Sequence, residues 1–567
     1  MFRDKALNPL NPVTRGTNQN GDIYFQLMES RNKFYENVPD IVNDYMETIN
    51  KKAGTSYKPF NYYGSLKAKK VIVAMGSVCE TIKEVINYLD DEIGLIEVHL
   101  YRPFSNKYLL DVLPETVQKI AVLDRTKEAG SNGEPLYLDI VNTLKDKDIT
   151  VVGGRYGLSS KDTTPGMIKA VYDMLDNPKN NFTIGIDDDV TNLSLDYTDL
   201  EIGGTDEAFL VYGYGSDGTV SAAKTLLELA GKSMYIQGYF EYDSKKSGGV
   251  TVSHLRFSKE KIRKTYFVSH PKLVVITKDS YLEEFDAVSN MKDNGILIIN
   301  SIRSDAELLH LLSPYKSLLN HKNVKVYKIN AYELARKNNL GNKISMIMTS
   351  AILKVTGFMD YNTGLKDIER IINDKFGLKS DGVVKNNIAA IYEIDNYLKE
   401  LKLNGAESSL EFKATNIYEM IEERRGNSLK VSAFQGMEDG TVKHTVAKGR
   451  ILSDIVPKWF NENCIQCGMC SFACPHGVIR PFLLNEDEYM KAPISIQEKC
   501  LPALGAPNHY YIISAALDKC TSCGVCLNVC PGKKGNKALS FEKVAINEEF
   551  DYLVRNIKEK DNFKLET

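Results

Sequence analysis

The sequence predicts an α/β multidomain chain: a parallel-sheet domain, then a second α/β domain, then a small α+β domain built around cysteines. Three observations carry this. Apolar strand patterns at Val71–Met75, Gly94–Leu100, Lys119–Leu123 and Thr150–Val152 alternate with helical patterns at Glu80–Leu89, Lys107–Leu113, Pro135–Leu144 and Pro165–Leu175. That alternation implies a parallel sheet covered on both faces. The same rhythm resumes at Phe209–Tyr212, and two copies of one cysteine run occupy Cys464–Pro475 and Cys520–Pro531. The 567 residues suit three or four domains at about 150 residues each.

Composition narrows the function classes. Charged residues make up 26% of the chain and the net charge is −3, a balance without the basic footprint of a nucleic-acid or membrane-surface binder. No apolar run approaches the ~18 residues of a spanning helix, and the opening Met1-Phe-Arg-Asp-Lys lacks a signal peptide's apolar stretch. Eight of the ten cysteines lie in the two runs, which suits a reducing cytoplasm rather than a disulfide scaffold. Cys79 follows a strand pattern and reads as a small buried hydrophobe. Cys500 lies between the runs and is left out of the ligand set.

Residues 1–67 begin with a polar stretch, Asn11 to Asn20, continue with helical apolar spacing from Asp22 to Lys51, and end in an aromatic linker, Tyr57–Gly64. The first α/β domain takes 68–200, with Tyr101-Arg-Pro-Phe104 and Asp124-Arg-Thr-Lys-Glu128 after strand ends, where such sheets bind ligands. The second takes 201–405. There the strand Phe209–Tyr212 runs into Gly213-Tyr-Gly215-Ser-Asp-Gly218-Thr219 and a helix through Leu229, the strand–turn–helix setting that a phosphate-cradling Gly-x-Gly-x-x-Gly requires. Its rival is a tight packing turn. A nicotinamide site would also want an acid at the end of the next strand, and Met234–Phe240 offers none. Lys245 and Lys246, in a glycine-rich loop, together with Arg256 on the following strand pattern, could face an anion. Further strands are read at Lys272–Thr277, Gly295–Asn300 and Val324–Ile329. Residues 406–457 read as a connector draped over its neighbour, and 541–567 as a charged, partly helical tail without a core.

The cysteine domain takes 458–540. Each run places three cysteines at intervals of three, a fourth after three more residues, and then proline. A tight turn reaches three irons of a cubane and the fourth cysteine leads away to the other cluster. One [4Fe–4S] cluster is therefore assigned to Cys464, Cys467, Cys470 and Cys530, and a second to Cys520, Cys523, Cys526 and Cys474. Paired zinc ribbons are the alternative, but zinc sites seldom repeat a third cysteine and a trailing Cys-Pro.

Taken in order, Arg15-Gly-Thr-Asn-Gln-Asn20, Ser77-Val-Cys-Glu-Thr81, Leu100-Tyr-Arg-Pro-Phe104, Val122–Glu128, Gly154-Arg-Tyr-Gly157, Gly213–Thr219, Gly238–Gly249, Ser253–Phe257 and the cysteine runs resemble the pyruvate:ferredoxin (flavodoxin) oxidoreductases. The resemblance implies a transketolase C-terminal-like domain at 68–200 and a gamma domain associated with coenzyme A at 201–405. It implies a bacterial ferredoxin-like domain with two [4Fe–4S] clusters at 458–540. Gly213, Gly215, Gly218, Thr219, Lys245 and Lys246 would then meet coenzyme A phosphates. Ferredoxin or flavodoxin would be the electron acceptor.

The same resemblance marks departures. No Gly-Asp-Gly followed by asparagine about thirty residues on, the thiamine diphosphate–magnesium signature, occurs in the chain, and 436–450 lacks the family's Phe-Pro-x-Gly-Thr. The expectation is a central portion without thiamine domains, with no catalytic residue of its own. Thiamine diphosphate and magnesium would come only with separate chains. The alternatives are a non-catalytic electron-transfer and coenzyme A-binding module or truncated gene product and, more remotely, a nicotinamide-linked oxidoreductase.

Overall fold

The computed structural model describes residues 6, 8–10, 12, 19–204, 206–214, 218–243, 249–341, 343–377, 381–403, 416–442, 455–543 and 549–560. The apolar spacing from Asp22 to Lys51 forms two helices, α1 (Gly21–Glu29) and α2 (Asn32–Ala53). α2 ends where Gly54, at φ +66°, donates its amide to the Asn50 carbonyl, a left-handed stop that glycine adopts freely. Neither helix has a covered apolar face. α1 buries no residue, α2 buries only Pro39, and Phe25, Phe34 and Tyr45 are each about two-thirds exposed or more. Asp40 ties α2 to Lys107 and Tyr108.

The first sheet contains β1 (Phe60–Gly64), β2 (Lys70–Ala74), β3 (Ile93–Val98), β4 (Lys119–Asp124), β5 (Thr150–Arg155) and β6 (Phe182–Thr183), in the order β1-β3-β2-β4-β5-β6. All pairings are parallel except β1 with β3. The continuous apolar runs of β2, β3 and β4 follow from burial on both faces. Helices α3 (Val78–Leu89) and α6 (Pro165–Met174) pack on one face. Helices α4 (Asn106–Val112) and α5 (Pro135–Leu144) pack on the other. Each fully buried Val, Leu or Ile contributes about 1.5–3 kcal/mol. The aromatic stretch read as a linker is β1. Phe60 is buried edge-on to Phe104, 5.5 Å between ring centroids, and Gly64 pairs with Gly94 where a Cβ would lie 2.5 Å from the Ile93 carbonyl oxygen.

The second sheet contains β7 (Glu207–Tyr214), β8 (Tyr235–Tyr242), β9 (Val250–Ser258), β10 (Leu273–Ile276), β11 (Ile296–Asn300), β12 (Lys325–Ile329) and β13 (Leu398–Leu401), in the order β13-β12-β11-β10-β7-β9-β8. Strands β7, β10, β11 and β12 are parallel, while β9, β8 and β13 join antiparallel. Helix α7 (Thr219–Ala230) leads from β7 to β8, yet β9 is inserted between those two strands. With α7, the helices at Ser345–Thr356, Tyr361–Phe376 and Asp381–Tyr392 cover one face of this sheet.

The cysteine portion pairs β14 (Ile455–Trp459) with β18 (Leu539–Lys543), and β15 (Ile479–Asn485) with β17 (His509–Ala515), which also carries β16 (Leu501–Pro502). A capping box, Asn485 with Glu488, starts the helix Glu486–Lys491 of the insert between the runs. The tail is not coreless: Leu553 of the helix Glu549–Asn556 is fully buried against Leu484, Ile496 and Ile512.

Residues 416–442 contact both sheet units. Arg424 pairs with Glu241 at the end of β8, Val431 donates its amide to the Asp187 carbonyl, and Ser432 donates to the Asp189 carboxylate. The two sheet units also touch directly. Arg263 pairs with Glu80 at 2.8 Å, Thr265 shares a hydrogen bond with Thr81, and the Phe267 amide donates to Asp162.

Candidate functional site

The two cysteine runs fold as matched loops. Gln466 and Ser522, two residues after the leading cysteines, have φ of +56° and +52°, and Gly468 and Gly524 have φ of +68° and +79°. These left-handed bends turn backbone amides toward sulfur. The Gln466 amide donates to Cys464 Sγ and the Ser522 amide to Cys520 Sγ, each at 3.4 Å, and the Ala538 amide donates to Cys530 Sγ at 3.3 Å. Such concave rows of N–H groups favour anions.

The loops then exchange their last cysteines. Cys464, Cys467, Cys470 and Cys530 line one cavity together with Trp459, Tyr511 and Ile513. Cys474 stands with the other run, where its charge acts on Cys520 and Cys526 along with that of Cys523. Burial pushes the Cys470 and Cys526 thiols up to about 11. At Cys474 burial acts the same way but is outweighed by the amides of His476, Ile479, Val478 and Gly477, which hold the thiol below its ordinary value. A bound metal deprotonates such thiols outright.

The donor set fits a cluster. A four-iron cubane asks for four thiolates spaced around a cavity, and Cys464, Cys467, Cys470 and Cys530 line one. Tyr511 and Trp459 complete its wall, and the Tyr511 hydroxyl and the Trp459 indole nitrogen are buried without a hydrogen-bond partner among the described residues. Burial, then the neighbouring Cys464, Cys470 and Cys467, hold the Tyr511 phenol well above its ordinary value, so it keeps its proton. The motif singles out neither residue. Trp459 is notable in the sequence only as the lone tryptophan, and Tyr511 is placed by the register of β17.

The second site is less complete. Gly213 is buried in β7, where a Cβ would lie 2.5 Å from Thr219 Cβ, and Gly218, at φ +89°, precedes α7. Strand β7 and helix α7 thus flank residues 215–217, with Thr219 buried at the first turn of α7. Gly215, Lys245 and Lys246 lie outside the described residues. A cleft of about 690 Å³ opens beside Asp243, lined by Ser160, Lys161, Tyr239, Glu241, Arg424 and Asn427. Two details weigh against a nicotinamide site. The acid that such a site needs does exist at the end of β8, as Glu241, but β9 separates that strand from β7. Glu241 is also taken up by Arg424 and faces His254 Nε2 at 3.5 Å. Arg256, read as a possible anion contact, is committed elsewhere: its guanidinium donates to Gln237 and to the carbonyls of Lys264, Tyr266 and Phe267. Cys79 is buried as expected, its thiol pushed up to about 12 by that burial.

Comparison with known families gives three matches in chain order. Residues 68–168 match pyruvate:ferredoxin oxidoreductase core domain II, residues 208–394 match pyruvate ferredoxin/flavodoxin oxidoreductase, and residues 463–534 match the 4Fe-4S dicluster domain. Along most of its length the chain is similar to pyruvate:ferredoxin/flavodoxin oxidoreductases. It is 39% identical to the pyruvate-flavodoxin oxidoreductase of Klebsiella pneumoniae over 96% of this chain and 48% of that protein. It is 40% identical to the pyruvate:ferredoxin oxidoreductase of Moorella thermoacetica over 97% of this chain and 49% of that protein. The chain thus spans about half the length of the curated relatives it matches. A solved pyruvate oxidoreductase subunit from Thermotoga maritima is similar to 35% of this chain at 21% identity, covers 100% of its own length and has a TM-score of 0.29. No described helix is long and apolar enough to cross a membrane.

Proposed function

We propose that this chain supplies the coenzyme A-associated unit and the two outer iron–sulfur centres of a pyruvate:ferredoxin/flavodoxin oxidoreductase. The overall reaction converts pyruvate and coenzyme A to acetyl-CoA, carbon dioxide, a proton and two electrons. The units at 68–200, 201–405 and 458–540 divide the work, with the connector and tail holding them. The cavity lined by Cys464, Cys467, Cys470 and Cys530, drawn from both runs, is the observation that carries this reading.

Bound clusters supply one-electron storage, here for release to a ferredoxin or flavodoxin. The chain's own residues hold and tune them: eight thiolates as ligands, with loop amides aimed at sulfur. In the second unit, the amides at the start of α7, with Gly213, Gly215, Gly218 and Thr219, offer donors to a coenzyme A phosphate. Lys245 and Lys246 offer charge. Thiamine diphosphate and magnesium, which carry the carbanion chemistry, would be held by polypeptide outside these residues. Co-expression with that remaining family sequence should give dye reduction dependent on both pyruvate and coenzyme A. No activity with a folded, cluster-loaded partner pair would overturn the proposal.

A further inference from the structure

We infer that Tyr511 and Trp459 donate side-chain hydrogen bonds to the sulfur of the cluster held by Cys464, Cys467, Cys470 and Cys530, and so raise its reduction potential. This rests on the reading that those cysteines hold a cluster. A buried donor without an acceptor is costly and rare. Here two such donors, the Tyr511 hydroxyl and the Trp459 Nε1–H, are buried without a partner among the described residues and line the same cysteine cavity. Both are donors, and the sulfurs of a bound cluster are the acceptors that cavity would present. The orphaned groups are accounted for by the cluster itself.

The internal repeat does not place such donors at the equivalent positions of the other half. Trp459 stands five residues before Cys464, and the residue five before Cys520 is Ala515. Tyr511 stands nine residues before Cys520, and the residue nine before Cys464 is Ile455. The counterpart positions therefore carry no side-chain donor. Ser522, within the second run, gives its hydroxyl to the Ile455 carbonyl. Backbone donors reach sulfurs of both sets, so they do not reproduce the asymmetry.

The direction of the effect follows from charge. Reduction adds negative charge that spreads over the cluster sulfurs, so an N–H or O–H dipole aimed at them favours the reduced form more than the oxidised form. Removing the donor should lower the potential of that cluster alone.

The full chain with both clusters loaded is titrated electrochemically with detection by electron paramagnetic resonance. In Tyr511→Phe and in Trp459→Phe, the reduction equilibrium of one cluster should shift severalfold to about tenfold toward the oxidised form, and the double variant should shift further; tenfold corresponds to 59 mV for one electron. The other signal, identified by its alteration in Cys523→Ser, should not move. Full iron content with unmoved midpoints, or movement of the cluster altered by Cys523→Ser, overturns the inference. If no cluster assembles in the unmodified chain, the cysteine reading itself fails, which is a distinguishable outcome.

A second measurement needs no variant. Trp459 is the only tryptophan, so indole-15N tryptophan labels a single site. A contact hyperfine coupling from that nitrogen to the reduced cluster is expected. Its absence overturns the role of Trp459 even if the substituted chains fail to load iron.

Discussion

The cysteine loops and the glycine turn of the second sheet build their sites in opposite ways. Each cysteine loop carries three cysteines and the bends that orient them within a few residues, and the cavity of the first run also takes Cys530 from its twin. The glycine turn contributes backbone and one hydroxyl. What can reach it depends on where β8, β9 and the connector lie. A site fixed by covalent spacing tolerates changes in its surroundings, whereas a site fixed by topology is only as good as strands far away in sequence.

The contrast can be broken most severely at the cysteines. Cys467→Ser should halve iron per chain and the visible absorption, and chelation should remove both clusters and unfold residues 458–540 while the two large sheets keep their circular dichroism. In the second unit, Gly213→Ala should cost about 1–3 kcal/mol, since the new methyl would lie 2.5 Å from Thr219 Cβ in a packed interior. Gly218→Ala, strained by its positive φ, should cost about 1–2 kcal/mol. Denaturant titration checks both, with iron content unchanged. Replacing Lys245 and Lys246 together by Ala should weaken coenzyme A binding about tenfold, an effect that shrinks in high salt and leaves stability alone. Calorimetric titration measures it.

The smallest effect concerns the connector. Burial tends to raise the Glu241 carboxyl, but His254 and Arg424 outweigh it and hold the group below its ordinary 4.5. The folded value is depressed, so the stabilising contribution is complete above pH 4.5 and fades as pH falls through the lowered folded value. Hydrogen exchange in 416–442 should rise on that acid side. At neutral pH, Arg424→Ala should cost about 1 kcal/mol.

Much of the architecture could be read from the chain because burial writes it into apolar runs. Strands such as β2 and β4, apolar on both faces, announce themselves. β1 does not, because an antiparallel edge strand of five residues resembles an aromatic linker until Gly64 meets Gly94. Arg256 looked free because most of its acceptors are main-chain carbonyls from a loop eight to eleven residues on, which leave no mark in composition. Glu241 was within reach of sequence reasoning as an acid following a glycine turn, but the insertion of β9 that disqualifies it was not. The placing of Cys530 beside Cys464, Cys467 and Cys470 follows the repeated spacing of the runs, while the positions of Tyr511 and Trp459 required strand register.

Trp459 has one more consequence. An indole against the wall of a cluster cavity, alone of its kind in 567 residues, gives the chain a single site of tryptophan emission. Iron–sulfur clusters absorb broadly across the near ultraviolet, so its emission should be bright in the empty protein and quenched on loading. The protein thus carries an intrinsic optical gauge of its own maturation.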